Sequence, residues 1–124
     1  TGLNNLKKYS VFSELMLLID GKEYIPDICL YPKRKIHFGS GDIIRMTELP
    51  MLIIEILSPS QGTQEILDKF QTYFNAGVKS CWLVVPVVCS VAVYSEMQKS
   101  RIFYDGEIID DILNIHLPIE NIFE

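Results

Sequence analysis

The stretch MLIIEIL, residues 51–57, decides the fold of this chain. It is nearly continuous in apolar residues and is flanked by Pro50 and Pro59. Such a run is typical of a central strand that is covered on both faces. We therefore place this segment in the interior of a sheet.

The residues after this strand change period. Apolar side chains recur at helical spacing between residues 63 and 76, and Gly77 follows as the expected C-cap. Residues 82–85 then form a second short apolar strand. A strand, a helix and a strand in this order predict a right-handed crossover between two parallel strands. Residues 89–94 and 101–104 predict an antiparallel pair, so the class is α/β with a central mixed sheet.

The segment before the central strand predicts a hairpin. Residues 13–31 contain two strand-like runs joined at Asp20 and Gly21, a dipeptide that tolerates the positive φ angles of a tight turn. With these two residues at the centre, opposed residue numbers sum to 41, and Glu14 faces Asp27. Two carboxylates about 5 Å apart repel each other unless a proton or cation lies between them. A turn centred one residue later would undo this pairing.

The composition limits the class of protein. At 124 residues with 48% hydrophobic content, the chain has the size of one domain, which we assign to residues 1–124. The net charge of −5 is unusual for a protein that binds nucleic acid by bulk attraction, so any phosphate binding must be local. No apolar run approaches the roughly 18 residues that span a membrane, and the first residues lack a signal peptide's apolar stretch. We expect a cytoplasmic protein without a membrane partner.

The cysteines and histidines indicate no metal site of their own. Cys29, Cys81 and Cys89 are odd in number, make no C-x-x-C pair and lie in apolar runs, so we expect buried free thiols. His37 and His116 are isolated and are interpreted as structural.

Glu55 is the most informative residue because it is the only charge within residues 51–57. Burying an unpaired carboxylate costs several kcal/mol, so Glu55 should meet a cation or a hydrogen-bond donor, or hold a proton on a raised pKa. The alternative is that Glu55 lies at the solvated end of the strand or beside an arginine. Asp27 is ambiguous alone, because an Asp near a strand end is often a turn or edge residue.

Lys69 lies near the rim of the apolar face of the predicted helix, which centres between Ile66 and Phe70. A lysine at that position can run its stem along the core and place its ammonium beside the sheet. A solvated surface lysine is the commoner situation, so the helix alone leaves this open. Tyr73 and Trp82 are interpreted as core residues rather than base-stacking platforms.

Together these residues resemble a known family. The matching pattern comprises Pro26-Asp27, LIIEILSPS at residues 52–60, Lys69, Tyr73, Ala76-Gly77-Val78, Trp82 and Pro86. It resembles the pattern of the Uma2 family, also called DUF820, of restriction-endonuclease-like proteins. The likeness covers most of residues 13–86 and extends weakly to the C-terminal LNIHLPIENIF. The combination of EILSPS, a helical lysine and G-V-x-x-x-W is far more specific than any single motif.

The resemblance implies a PD-(D/E)XK nuclease core and a metal-dependent endonuclease that acts on DNA. Asp27 and Glu55 then match the two acids of the motif. The motif's lysine normally lies two residues after the second acid, where this chain has Leu57. Uma2-like sequences supply that lysine from the following helix, and Lys69 is the residue that matches.

The same resemblance implies a ligand set for Mg²⁺ or Mn²⁺, which are hard cations suited to oxygen ligands. As a hypothesis, Asp27 and Glu55 bind the metal together with the carbonyl of Ile56, and with Glu14 directly or through water. Lys69 then orients the attacking water or stabilises charge in the transition state.

The loop after the Asp27 strand contains Lys33, Arg34 and Lys35, which we predict to contact phosphates, with a solvated loop as the alternative. Two positions depart from the family pattern, because relatives commonly have Asp where this chain has Val85 and Glu65. We also expect that most of the family's N-terminal helical segment is missing.

Two further expectations concern partners and activity. Small nuclease cores often need a second subunit to embrace a duplex, so fold analogy predicts a homodimer. The alternative to an active nuclease is a weak or inactive nuclease-fold protein that serves as a nucleic-acid-binding or protein-interaction module.

Overall fold

The structure is a computed structural model, and it describes residues 6–33 and 45–123. Its strands are β1 (Tyr9–Ser13), β2 (Met16–Ile19), β3 (Lys22–Tyr24), β4 (Ile28–Pro32), β5 (Arg45–Met46), β6 (Leu52–Ile56), β7 (Ser80–Val85), β8 (Ser90–Glu96), β9 (Lys99–Phe103), β10 (Glu107–Asp110) and β11 (Ile115–Pro118), and its helix is α1 (Thr63–Ala76). A six-stranded mixed sheet has the order β1-β4-β6-β7-β8-β9. Two smaller sheets have the orders β3-β2-β5 and β10-β11. The chain is therefore an α/β protein, as predicted.

The strand-helix-strand unit predicted from the apolar periodicity is confirmed. α1 spans Thr63–Ala76, and Gly77 follows in the left-handed conformation at φ 112°, which favours glycine. β6 and β7 pair in parallel, with Glu55 opposite Leu83. The predicted antiparallel pair near the C-terminal half is also present, as β8 and β9.

The predicted register of the N-terminal hairpin is also confirmed. Ile19 pairs with Lys22, so opposed residue numbers sum to 41. Asp20 and Gly21 form the turn, with φ angles of 51° and 76°. The short side chain of Asp and the absence of one in Gly make these positive φ values accessible.

The hairpin is broken into four strands where two were expected. β1 and β4 keep the same register, since Ser13 pairs with Ile28, but the pairing of β2 and β3 belongs to a different sheet. At the break, Glu14 has a φ of 53° and donates its N–H to the carbonyl of Asp27 at 3.1 Å. Pro26 has no N–H to donate to a ladder. The chain bends here without changing register.

The two faces of the six-stranded sheet carry separate hydrophobic cores. Ile53 packs with Ile66 of α1 in one cluster, which we call the helix-side core. Ile54 packs with Ile108 of β10 in the other. Successive strand residues point to opposite faces, so Glu55 shares the helix side with Ile53.

The cysteine prediction is confirmed for two residues and wrong for the third. Cys29 and Cys81 are buried free thiols, whereas Cys89 is exposed. Cys89 follows a short 3₁₀ turn, Pro86–Val88, and has a φ of 45°, so it lies in the connection before β8 and not in a buried strand. Burial, followed by the charge of Glu55, raises the pKa of Cys29 to about 12.

Two smaller observations complete the fold. His116 is exposed and His37 lies outside the described residues. In the described part of the chain, no helix has the length and apolar character that crossing a membrane requires.

Asp110 is a buried acid that the sequence analysis did not single out. Its Oδ2 accepts a hydrogen bond from Trp82 Nε1 at 2.8 Å, and its Oδ1 accepts one from the N–H of Leu113 at 3.0 Å. The bond from Trp82 attaches the C-terminal β10-β11 hairpin to β7 from within the core, and the bond from Leu113 stabilises the turn between β10 and β11. Asp110 is therefore a structural residue.

Substituting Asp110→Ala should lower the free energy of unfolding by about 3 kcal/mol, because two buried donors lose their acceptor. Urea unfolding measures this change. Asp111→Ala is the matched control, since its exposed carboxylate forms a surface ion pair with Arg101, and it should stay within about 0.5 kcal/mol of the wild type. Equal losses in the two variants would contradict the structural role of Asp110.

Candidate active site

Asp27 and Glu55 lie opposite each other where β4 begins and β6 ends. The last ladder pair between these antiparallel strands is Ile28 with Ile54, so Asp27 and Glu55 occupy the next position of the same register. Directly opposed residues point to the same face of a sheet. Both acids therefore face the helix side.

Two hydrogen bonds link Asp27 to the end of β6. The N–H of Asp27 donates to Oε1 of Glu55 at 2.9 Å, and the N–H of Ile56 donates to Oδ2 of Asp27 at 2.7 Å. Each carboxylate thus accepts a hydrogen bond from the main chain of the opposite segment. The separation of the two acids is consequently fixed by the sheet.

Glu55 is 5% exposed, although it carries an ionisable group. Burial is the main reason that its pKa is raised, and the nearby charge of Asp27 raises it further. The hydrogen bond from Asp27 N–H, the charge of Lys69 and the hydroxyl of Tyr73 act in the opposite direction. Glu55 thus meets two of the conditions expected for a buried acid, namely hydrogen-bond donors and a raised pKa.

Lys69 lies on α1 close enough to Glu55 to lower its pKa. The side chain is half-buried, which agrees with its predicted position at the rim of the helix. No ion pair within 4.0 Å joins Lys69 to Glu55 among the described residues. The lysine therefore faces the acids without contacting them directly.

Tyr73 is the site residue that the sequence analysis missed. It is buried, as predicted for a core residue, but its hydroxyl also lies 3.3 Å from Oε2 of Glu55. Burial, followed by the charge of Glu55, raises the pKa of Tyr73. The hydroxyl therefore stays protonated and donates a hydrogen bond to Glu55. The spacing in the sequence indicated this proximity, because Tyr73 follows Lys69 by four residues and so lies on the same side of the helix.

Glu14 and Ile56 lie beside the two acids. The N–H of Glu14 donates to the carbonyl of Asp27, so Glu14 lies beside Asp27 on the side away from Glu55. The side chain of Glu14 is exposed. Within residues 6–33 and 45–123, no group of three or more His, Cys, Asp or Glu side chains is arranged to hold a metal ion. The metal-binding roles of Glu14 and of the Ile56 carbonyl stay predictions.

The donor set suits a divalent metal ion. Oδ1 of Asp27 accepts no hydrogen bond from any described residue, and Glu55 has no ion-pair partner in that part of the chain. Carboxylate and carbonyl oxygens are the ligands that Mg²⁺ and Mn²⁺ prefer. Asp27 and Glu55 therefore fit such an ion, with one carboxylate oxygen already open to it.

The predicted phosphate-binding loop can be followed only at its start. Lys33 directly follows β4 and is exposed. Arg34 and Lys35 lie outside the described residues.

A comparison with protein families matches residues 3–120 to the Uma2 model, described as "Putative restriction endonuclease". The chain belongs to the Uma2 family. Restriction-endonuclease-like proteins generally use divalent metal ions. The crystal structure of "a putative nuclease belonging to DUF820" from Anabaena variabilis matches this Uma2 chain with a TM-score of 0.74 and 24% identity. The match covers 98% of this chain and 71% of that one, and it shows a shared fold. A search of curated proteins finds no match.

The raised pKa of Glu55 predicts the pH dependence of stability without metal. The folded protein retains a proton on Glu55, whereas the unfolded chain releases this proton above the ordinary glutamate pKa of about 4.5. The free energy of unfolding should therefore fall as the pH rises from that value through the raised pKa. Urea unfolding in a chelator at a series of pH values measures the slope.

Glu55→Gln should remove this part of the pH dependence and make the metal-free protein more stable than the wild type at neutral pH. Glu65→Gln removes an exposed carboxylate of α1 and should leave the slope unchanged. A wild-type slope that survives in Glu55→Gln would show that another group is responsible.

Proposed function

We propose that this Uma2 protein is a metal-dependent endonuclease that hydrolyses phosphodiester bonds of DNA in the cytoplasm. The observation that carries the proposal is the paired arrangement of Asp27 and Glu55. A buried carboxylate with a raised pKa lies beside a second carboxylate that has an open oxygen. Like charges this close favour a bound cation, because a cation offsets both their repulsion and the cost of burial.

In this proposal Asp27, Glu55 and the carbonyl of Ile56 hold Mg²⁺ or Mn²⁺, with Glu14 contributing directly or through water. The ion supplies Lewis-acid chemistry, which lowers the pKa of a water molecule and offsets charge on the phosphate. The main-chain N–H groups of Asp27 and Ile56 hold the carboxylates in place.

Lys69 is proposed to stabilise negative charge on the phosphate or to orient the attacking water. Its ammonium is free to do so because it forms no ion pair with a described residue. Lys33, with Arg34 and Lys35, is proposed to contact the DNA backbone and to supply locally the positive charge that the chain lacks overall. By fold analogy, a homodimer would embrace the duplex.

The first test combines metal binding with cleavage. Wild-type protein should bind Mn²⁺ in calorimetry and nick supercoiled plasmid in the presence of Mn²⁺ or Mg²⁺ but not in a chelator. Glu55→Ala and Asp27→Ala should each lose both properties, because each removes a proposed ligand. Glu65→Ala, a change at an exposed acid, should retain them. The enzymatic proposal should be abandoned if wild-type protein neither binds Mn²⁺ nor nicks plasmid above background.

The second test separates the role of Lys69 from that of the acids. Lys69→Met keeps a long apolar stem but removes the charge, so the nicking rate should fall by about 100-fold or more. Mn²⁺ affinity should change by less than about threefold, because the lysine is not a ligand. Lys79→Met, at an exposed lysine, should match the wild type in both assays. A Lys69→Met variant with full activity would refute the assignment.

A DNA-binding module without turnover is the second candidate, and it is favoured by Glu55, whose two oxygens already accept hydrogen bonds without a metal. A module of this kind would bind DNA with an affinity that falls steeply as salt increases. The binding would survive Asp27→Ala, and no variant would nick plasmid. Gel-shift titrations of the wild type and of Asp27→Ala at two salt concentrations, combined with the plasmid-nicking assay, distinguish it from the endonuclease.

A further inference from the structure

The hydroxyl of Tyr73 is a polar group placed deep in the helix-side core. The side chain is 1% exposed, and its hydroxyl lies 3.3 Å from Oε2 of Glu55. Packing alone would be served equally well by phenylalanine, since the ring supplies the buried apolar area. The hydroxyl therefore needs a separate explanation.

The ring of Tyr73 is held on several sides. It meets the ring of Tyr24 edge-on with centroids 5.8 Å apart, and it lies 6.4 Å from the ring of Phe70. Its main-chain carbonyl accepts a hydrogen bond from Val78 in the turn that ends α1. A ring fixed in this way presents its hydroxyl at one place, so little conformational entropy is lost when the hydroxyl is used.

Two donors act on the two oxygens of Glu55. The N–H of Asp27 binds Oε1 at 2.9 Å, and the hydroxyl of Tyr73 binds Oε2. A carboxylate that has one hydrogen-bond donor can still rotate about that hydrogen bond. Two donors, one on each oxygen, fix the plane of the carboxylate. The second lone pair on each oxygen is left available to a cation.

We propose that Tyr73 is a positioning residue that orients the Glu55 carboxylate for the divalent cation. This inference rests on the proposed function, because it assumes that Glu55 is a ligand. Tyr73 contacts the ligand and not the ion. Partners of this kind typically contribute 10-fold to 100-fold to metal affinity.

The experiment compares Tyr73→Phe with Tyr9→Phe. Both variants lose one buried tyrosine hydroxyl, since the hydroxyl of Tyr9 donates to the carbonyl of Leu113 at 3.1 Å in the other core. Calorimetry should show Mn²⁺ affinity about 10-fold weaker in Tyr73→Phe and unchanged in Tyr9→Phe. In the cleavage assay, the half-saturating Mn²⁺ concentration should rise by the same factor, while the rate at saturating Mn²⁺ stays within about threefold of the wild type.

Each outcome is decisive. Wild-type Mn²⁺ affinity in Tyr73→Phe overturns the inference and leaves the proposed function intact. An equal loss in both variants also overturns it, because the effect would then come from core packing. If wild-type protein binds no Mn²⁺, the proposed function fails and the inference fails with it.

A second measurement applies if Tyr73→Phe does not fold. Wild-type protein labelled with 3-fluorotyrosine gives a fluorine signal for each of its six tyrosines, and Tyr→Phe variants of the other five assign the signal of Tyr73. Saturating Mg²⁺ should shift that signal more than the signal of Tyr9. A Tyr73 signal that does not move overturns the inference.

Discussion

The arrangement of the site depends on two hydrogen bonds, one from the N–H of Asp27 to the carboxylate of Glu55 and one from the N–H of Ile56 to the carboxylate of Asp27. Main-chain N–H groups at the end of a ladder must find acceptors, and here carboxylates replace the carbonyls that a longer ladder would offer. The acids therefore continue the pairing of β4 and β6 through their side chains. Because the same carboxylates continue the sheet and form the candidate site, the distance between the two acids is a property of the fold.

Strand register also accounts for the position of the proposed catalytic lysine on the helix. The position two residues after Glu55 faces the helix-side core, and there Leu57 packs against that core. The N–H of Leu57 donates to the carbonyl of Val84, so the backbone still follows β7 at this point. A lysine at position 57 would replace an apolar contact with a charge. Lys69 instead approaches from the rim of α1, where its ammonium can stay partly solvated.

Local patterns in the sequence were sufficient for the central elements and for the hairpin register that places Glu14 opposite Asp27, whereas Asp27 and Glu55 were brought together only by the resemblance to the Uma2 family. The bounds of α1 follow from apolar periodicity and from Gly77, and the hairpin register follows from Asp20 and Gly21. The break at Glu14 could not be predicted, because it depends on β1 and β2 joining different sheets. The contact of Asp110 with Trp82 depends on which elements meet across the sheet, and nothing within the segment of Asp110 specifies that.

Glu55 and Asp110 show how two buried acids can be distinguished. An apolar residue at either position would avoid the cost of desolvation, so each acid needs a reason to be there. The two oxygens of Asp110 accept hydrogen bonds from Trp82 and from a main-chain N–H, which joins two elements and completes its role. Glu55 also accepts two hydrogen bonds, but it faces a second carboxylate that raises its pKa and a lysine that lowers it. Charges of both signs around one buried acid are costly to maintain for stability alone, and the proposed site for a cation and a phosphate would account for this cost.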